Sequence, residues 1–187
     1  MEQTYTLQLI ERQKIEQNAI ALKFLPNREF KWEAGQALIM KLPLVETDDR
    51  GDKRVFSITS APSEGYVMIA TRDYKDAASA FKKALFNLEI GDTVEVTGLI
   101  HSNDDFEAKD PNRDYIFLVG GIGITPVRSI MKEYALKHQD LKGTLLYANR
   151  DDNYIFGREL DDIAEKFTQF KIQPFHSKLI DQHVLRD

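Results

Sequence analysis

Apolar and polar positions alternate with a period of two through most of the first hundred residues. TYTLQLI at 4–10, AIALKFL at 19–25, ALIMKL at 37–42, RVFSITS at 54–60, YVMIAT at 66–71 and TVEVT at 93–97 each read as a short strand bounded by turn residues. Six such segments in succession predict an antiparallel barrel, closed or nearly so. One stretch breaks the rhythm: Ala77, Phe81, Ala84, Leu85 and Leu88 recur at helical spacing ahead of the Gly91-Asp92 turn.

Beyond about residue 107 the pattern changes. DPNRD at 110–114 is polar and turn-like, a natural link between domains. YIFLV at 115–119 is continuously apolar, and a glycine-rich turn follows it. A helix is predicted over 126–137 with Val127, Ile130, Met131, Tyr134 and Ala135 on one stripe. TLLYA at 144–148 reads as a strand. A helix near 157–167 carries Leu160, Ile163, Ala164 and Phe167 on one face, and KIQPF at 171–175 reads as a strand that Pro174 confines to an edge or an end. Strand and helix in alternation mean parallel pairing through helical crossovers. The predicted fold class is therefore a two-domain chain: an antiparallel β-barrel over 1–107, then an α/β parallel-sheet domain over 108–187.

Two segments carry candidate chemistry. GGIGITP at 120–126 sits between a buried strand and an amphipathic helix. Its glycines permit positive φ and close approach of a ligand to the backbone. Thr125 is expected as the helix N-cap with Pro126 in the first helical position, leaving free N–H groups and partial positive charge for a phosphate. Pro126 occupies the place of the last glycine of the dinucleotide fingerprint, and no Gly-Lys-Ser/Thr follows, so the turn is neither that motif nor a Walker loop; the plain alternative is a tight turn without a ligand. The second segment, RVFSITSAP at 54–62, gathers a guanidinium and several hydroxyls on a barrel wall. Alternation places Val55, Ser57 and Thr59 on one face and Arg54, Phe56 and Ile58 on the other. Buried polar groups need partners, which phosphates and ring heteroatoms would supply; otherwise the strand is half exposed with solvated hydroxyls.

Together these residues resemble the ferredoxin–NADP⁺ reductase superfamily: Arg54-x-Phe56-Ser57 with Ser60-Ala61-Pro62, then Gly121-x-Gly123-x-x-Pro126, flanked by Trp32-Glu-Ala-Gly35-Gln36 and Ser79-Ala-Phe-Lys. The resemblance covers nearly the whole chain. It implies an FAD-binding barrel, with FMN as the alternative, and a domain for NADPH or NADH. It further implies that Arg54 binds flavin phosphate, Phe56 packs on the isoalloxazine, Ser57 serves as the catalytic hydroxyl near flavin N5, and Ile58 and Thr59 follow along the ring and pyrophosphate by backbone contacts. Ser79 would cap the pyrophosphate. Gly121, Gly123 and Thr125 would receive the nicotinamide nucleotide, and Asn149 and Arg150 the adenosine ribose, where a cation favours a 2′-phosphate and Asp151 and Asp152 oppose it. Hydride would pass from nicotinamide C4 to flavin N5, and electrons singly onward to a ferredoxin- or flavodoxin-type acceptor protein.

Two departures stand out. After Val96-Thr-Gly98 the chain reads Leu99-Ile-His101-Ser-Asn-Asp-Asp-Phe106 where the family has a proline and glycines, and His101 reads as a solvated loop residue. The family's terminal strand with its Cys-Gly-Pro is not found before Asp187, so the nucleotide domain is expected to be truncated. The competing readings are a flavin-binding electron-transfer or regulatory module without NAD(P)H turnover, and a nucleotide-binding structural domain without flavin.

Composition alters this picture in a few places. With 187 residues, 25 Lys and Arg against 30 Asp and Glu give a net charge of −5, which speaks against nucleic acid as partner. Cys is zero, which excludes disulfides, thiol redox chemistry and thiolate metal sites within the sequence. The N-terminus lacks the pattern of a signal peptide, and the longest apolar runs fall well short of the ~18 residues of a membrane span; a cytoplasmic protein without membrane insertion is expected. Oligomeric state stays open.

Overall fold

A computed structural model describes residues 4–44, 48–72, 79–100 and 108–176. The predicted positions Ala77 and His101 lie outside them. Barrel strands β1 (Tyr5–Ile15), β2 (Ala19–Pro26), β3 (Ala37–Lys41), β4 (Lys53–Ser57), β5 (Val67–Arg72) and β6 (Thr93–Ile100) form one antiparallel sheet in the order β4-β3-β6-β1-β2-β5. Its two outer strands meet beyond Ser57, where Thr59 N donates to Met68 O at 2.7 Å and Met68 N donates to Ser60 Oγ at 2.9 Å. Leu7, Leu9, Leu22, Phe24, Leu38, Met40 and Ile69 fill the interior, and helix α1 (Ala80–Asn87) plugs it with Phe81 and Leu85.

Strand β1 runs five residues past the predicted end. A bulge between Leu9 and Glu11 shifts its register, and the second half pairs with β2 alone. Residues 11–14 are exposed, so no alternation marks them. The hairpin closes through Gln17 (φ 58°) and Asn18 (φ 55°), two left-handed residues that match the twist of the strands.

The second sheet is parallel, in the order β7 (Asp114–Gly120), β8 (Lys142–Asn149) and β9 (Phe170–His176). Helices α2 (Thr125–Leu136) and α3 (Gly157–Ala164) form the crossovers, and Pro174 lies on the edge strand β9, as its missing N–H requires. The two domains share a core. Leu22, Phe24, Val67 and Ile69 point into the barrel, whereas Ala19, Ala21, Met68 and Ala70 of the same strands join the cluster of Ile124, Val127, Ile155 and Phe156. Burial on both faces explains why residues 67–70 are apolar without a break.

Candidate functional site

The predicted site residues fall into two groups on either side of that shared core. On the barrel, Arg54 and Phe56 project from β4 toward α1. The Arg54 guanidinium lies 5.2 Å over the Phe81 ring, and the Phe56 and Phe81 centroids are 6.0 Å apart. Arg54 Nη1 folds back on its own hairpin, donating to the carbonyls of Arg50, Gly51 and Lys53 at 2.8, 3.0 and 2.6 Å. Its Nη2 lies 3.5 Å from Asp48 Oδ1. Asp48 Oδ2 accepts from Ala80 N, the first amide of α1, at 3.1 Å, and Ser79 caps that helix with its Oγ accepting from Lys82 N at 3.3 Å. A carboxylate thus rests between the arginine and the helix start predicted to share a phosphate. Burial raises the Asp48 pKa. The amides of Arg50 and Ala80 and the charges of Arg50 and Arg54 outweigh that effect and hold the carboxyl below its ordinary value.

Ser57 is half buried at the end of β4, opposite Ala37. Ile58 and Thr59 are fully buried, and their N–H groups are taken by Gln36 O at 2.8 Å and Met68 O at 2.7 Å. Amide contacts from these two residues to a ring or phosphate would require breaking the barrel's own bonds. The Thr59 hydroxyl, in contrast, has no partner.

The second group surrounds the glycine turn. Gly121–Ile124 forms a 3-10 turn that runs without interruption into α2, so Thr125 is inside the helix and not its cap. Its hydroxyl donates back to Ile122 O at 3.2 Å, and the residue is buried. This corrects the N-cap expectation: the open backbone lies one turn earlier, at residues 120–123. Gly121 has φ 51°, and a Cβ there would meet the Arg72 guanidinium at 2.4 Å. Gly123 has open space around it. A cleft of about 270 Å³ opens here, lined by Arg72, Gly120, Gly121, Ile122, Ala148, Asn149 and Arg150. It lies at the carboxyl ends of β7 and β8, where parallel sheets receive nucleotides. Asn149 is buried, with Nδ2 donating to Asp151 O and Asn153 O at 3.0 and 3.1 Å, so its amide shapes the loop; Arg150 is exposed.

Three residues that the sequence did not single out complete the arrangement. Arg72, at the end of β5, reaches across from the barrel to the glycine turn. Its Nη2 donates to Gln17 Oε1, and its Nε is buried without a partner. Tyr147 is fully buried, with its hydroxyl 3.1 Å from both Gly121 O and Ile155 O, anchoring the turn from beneath. Arg128 of α2 holds the domains together. It donates to Thr59 O at 3.0 Å, to Glu64 at 2.9 and 3.2 Å and to Glu159 at 2.9 and 2.7 Å. Ser129 Oγ adds a bond to Ser60 O at 2.7 Å, and Glu133 accepts from Ser63 N and Oγ at 2.9 Å each. Burial raises the Glu64 pKa, but the hydrogen bond and charge of Arg128 and the bonds from Tyr66 and Ala61 more than reverse it, and the carboxyl titrates below its usual range. Among the described residues no helix is long and apolar enough to cross a membrane.

Residues 117–183 match the family model described as the oxidoreductase NAD-binding domain. The plasma membrane-associated coenzyme Q6 reductase of Saccharomyces cerevisiae is 33% identical over 144 residues, covering 74% of this chain and 43% of that protein. The ferredoxin reductase component of the 3-ketosteroid-9-alpha-monooxygenase of Mycobacterium tuberculosis is 30% identical over 144 residues, covering 76% of this chain and 38% of that protein. The chain therefore spans about two fifths of these curated relatives. Among solved structures, ferredoxin–NADP⁺ reductase from Plasmodium falciparum superposes with a TM-score of 0.78 at 18% identity, covering 96% of this chain and 72% of that one. Over most of its length the chain is thus similar to these reductases, residues 117–183 match an oxidoreductase NAD-binding domain, and the two-sheet fold is the one seen in ferredoxin–NADP⁺ reductase.

Proposed function

We propose that the chain is the flavin- and nicotinamide-binding part of an NAD(P)H-dependent reductase that passes electrons to an acceptor protein of ferredoxin or flavodoxin type. The observation that carries this reading is the Asp48 carboxylate held between Arg54 and the α1 amide of Ala80, an internal anion in a cradle next to the Phe81 ring on which Arg54 lies. A carboxylate with one oxygen toward each donor is a fair stand-in for phosphate oxygens. The unpartnered Thr59 hydroxyl and Arg72 Nε are further polar groups that a ligand would satisfy.

Bound there, a flavin would supply acceptance of a hydride and release of single electrons; the chain supplies grip and orientation. Arg54 and the α1 N-terminus would hold the phosphates, Phe56 would pack on the ring, and the Ser57 hydroxyl would stand at the edge that takes hydride. Gly121, with Arg72 behind it, would seat the nicotinamide nucleotide's phosphates, and Arg150 would meet its ribose. FAD is preferred over FMN because the hydroxyl helix start at Ser79 resembles that of the family's FAD-binding members. NADPH is favoured over NADH: Asp151 turns its carboxylate to Asn153 N at 2.9 Å and Gln17 Nε2 at 3.4 Å, Asp152 pairs with His176 at 3.1 Å, and Arg150 stays exposed at the cleft. The relatives carry different names, a coenzyme Q6 reductase and the ferredoxin reductase component of a monooxygenase, so the acceptor type rests on the resemblance of the motifs.

The test is FAD uptake by the purified chain, then anaerobic addition of NADPH or NADH. Retained yellow colour that NADPH bleaches supports the reading. Colour without bleaching would reduce the chain to a flavin module, and failure to take up FAD would overturn the reading altogether.

A further inference from the structure

We propose that Asp48 is an internal competitor for the cofactor phosphate: its carboxylate occupies the Arg54 and Ala80 donors in the flavin-free chain and must leave them when the phosphate enters, so this residue sets flavin affinity. The inference builds on the flavin reading given above. Three features make Asp48 more than a turn residue. Its Oδ1 accepts from Arg50 N at 3.0 Å, which alone would satisfy an Asx turn. Its other oxygen nevertheless crosses to a different element and takes Ala80 N at 3.1 Å. The same group lies 3.5 Å from Arg54 Nη2 and 3.7 Å from Arg50 Nη2, so it offsets two cations of the hairpin. A second Arg54 donor, Nη1, is held by hairpin carbonyls, which keeps the guanidinium at the mouth of the cradle whether or not the carboxylate stays.

Binding of a phosphate is then an exchange of one anion for another. It gains only the difference between phosphate and carboxylate at the same donors, and the displaced Asp48 remains as a nearby like charge. Replacing the carboxylate by a neutral group removes both opposing effects. Asp48→Asn keeps an oxygen that can accept from Ala80 N, so α1 retains its first bond.

The experiment titrates the full chain and its Asp48→Asn and Asp48→Ser variants with FAD, FMN and riboflavin, following flavin fluorescence, with thermal melts to verify folding. Asp48→Asn should bind FAD about 5-fold more tightly, the scale of a partly exposed ion pair. FMN should gain similarly, and riboflavin, which has no phosphate, should be unchanged. Asp48→Ser, whose side chain is too short to span the two donors, should reproduce the gain if Asn perturbs the loop. Equal or weaker FAD binding by both folded variants, or an equal gain for riboflavin, would overturn the role of Asp48 while leaving the flavin reading intact. No flavin binding by any of the three proteins would overturn both.

Discussion

Two arginines face the two ligand regions, and they are kept in opposite states. Arg54 is engaged from within the chain: three hairpin carbonyls hold Nη1, and the Asp48 carboxylate lies near Nη2. Arg72 is incompletely served, with Gln17 on one nitrogen and nothing on its buried Nε. A ligand reaching Arg54 must therefore displace an internal anion. A ligand reaching Arg72 adds a bond to a donor already removed from water and still unmatched, the kind of group that a charge-assisted hydrogen bond rewards most. The barrel region around Arg54 is occupied from within, whereas the glycine turn borders a cleft.

The most severe way to break this contrast is to loosen the barrel, which carries both arginines, from the domain that carries the glycine turn. Arg128→Met removes the cation bonded to Glu64, whose side chain is only 8% exposed, and to Thr59 O. Leaving a buried carboxylate without its counter-charge should lower stability by about 3–5 kcal/mol in urea denaturation, and adding Glu64→Gln should restore much of the loss. Next in size, Arg72→Ala should weaken NADPH binding by about 10–100-fold, the value of a hydrogen bond to a charged group, with FAD affinity as before. Weakened FAD binding of the same size would show that the two regions are not separable.

Acid offers a graded version of the first test. The folded-state pKa of Glu64 lies below its unfolded value, so the carboxylate's stabilising effect is complete above the unfolded pKa. It disappears as pH falls through the folded one. Denaturation midpoints should therefore drop on acidification below about pH 4.5, with a shallower decline in Glu64→Gln. The smallest effect is expected from Arg150→Ala, an exposed cation: the preference for NADPH over NADH in binding assays should shrink by about 2- to 5-fold.

The barrel strands and both crossovers were readable from periodicity because each has one solvated face or a continuous apolar run. The tail of β1 was not, since residues 11–14 are exposed and pair on one side only. The places of Arg54 on β4 and of Ser79 at the start of α1 were readable because each makes its contacts within a few residues of its own motif. Arg72, Arg128 and Tyr147 act across long sequence distances, Arg128 on Thr59 from 69 positions away, and nothing local distinguishes them from a strand-end charge, a helix-surface charge or a core aromatic. Thr125 lies inside the helix for a local reason: a 3-10 turn ahead of α2 takes over the helix start, which neither glycine nor threonine announces.

The decisive measurement is anaerobic titration of the FAD-loaded chain with NADPH, followed by loss of the flavin's yellow absorbance. Stoichiometric bleaching, weakened by Arg72→Ala and preserved in Asp48→Asn, is the predicted result. A folded chain that retains no FAD under any of these conditions would contradict the account at its base.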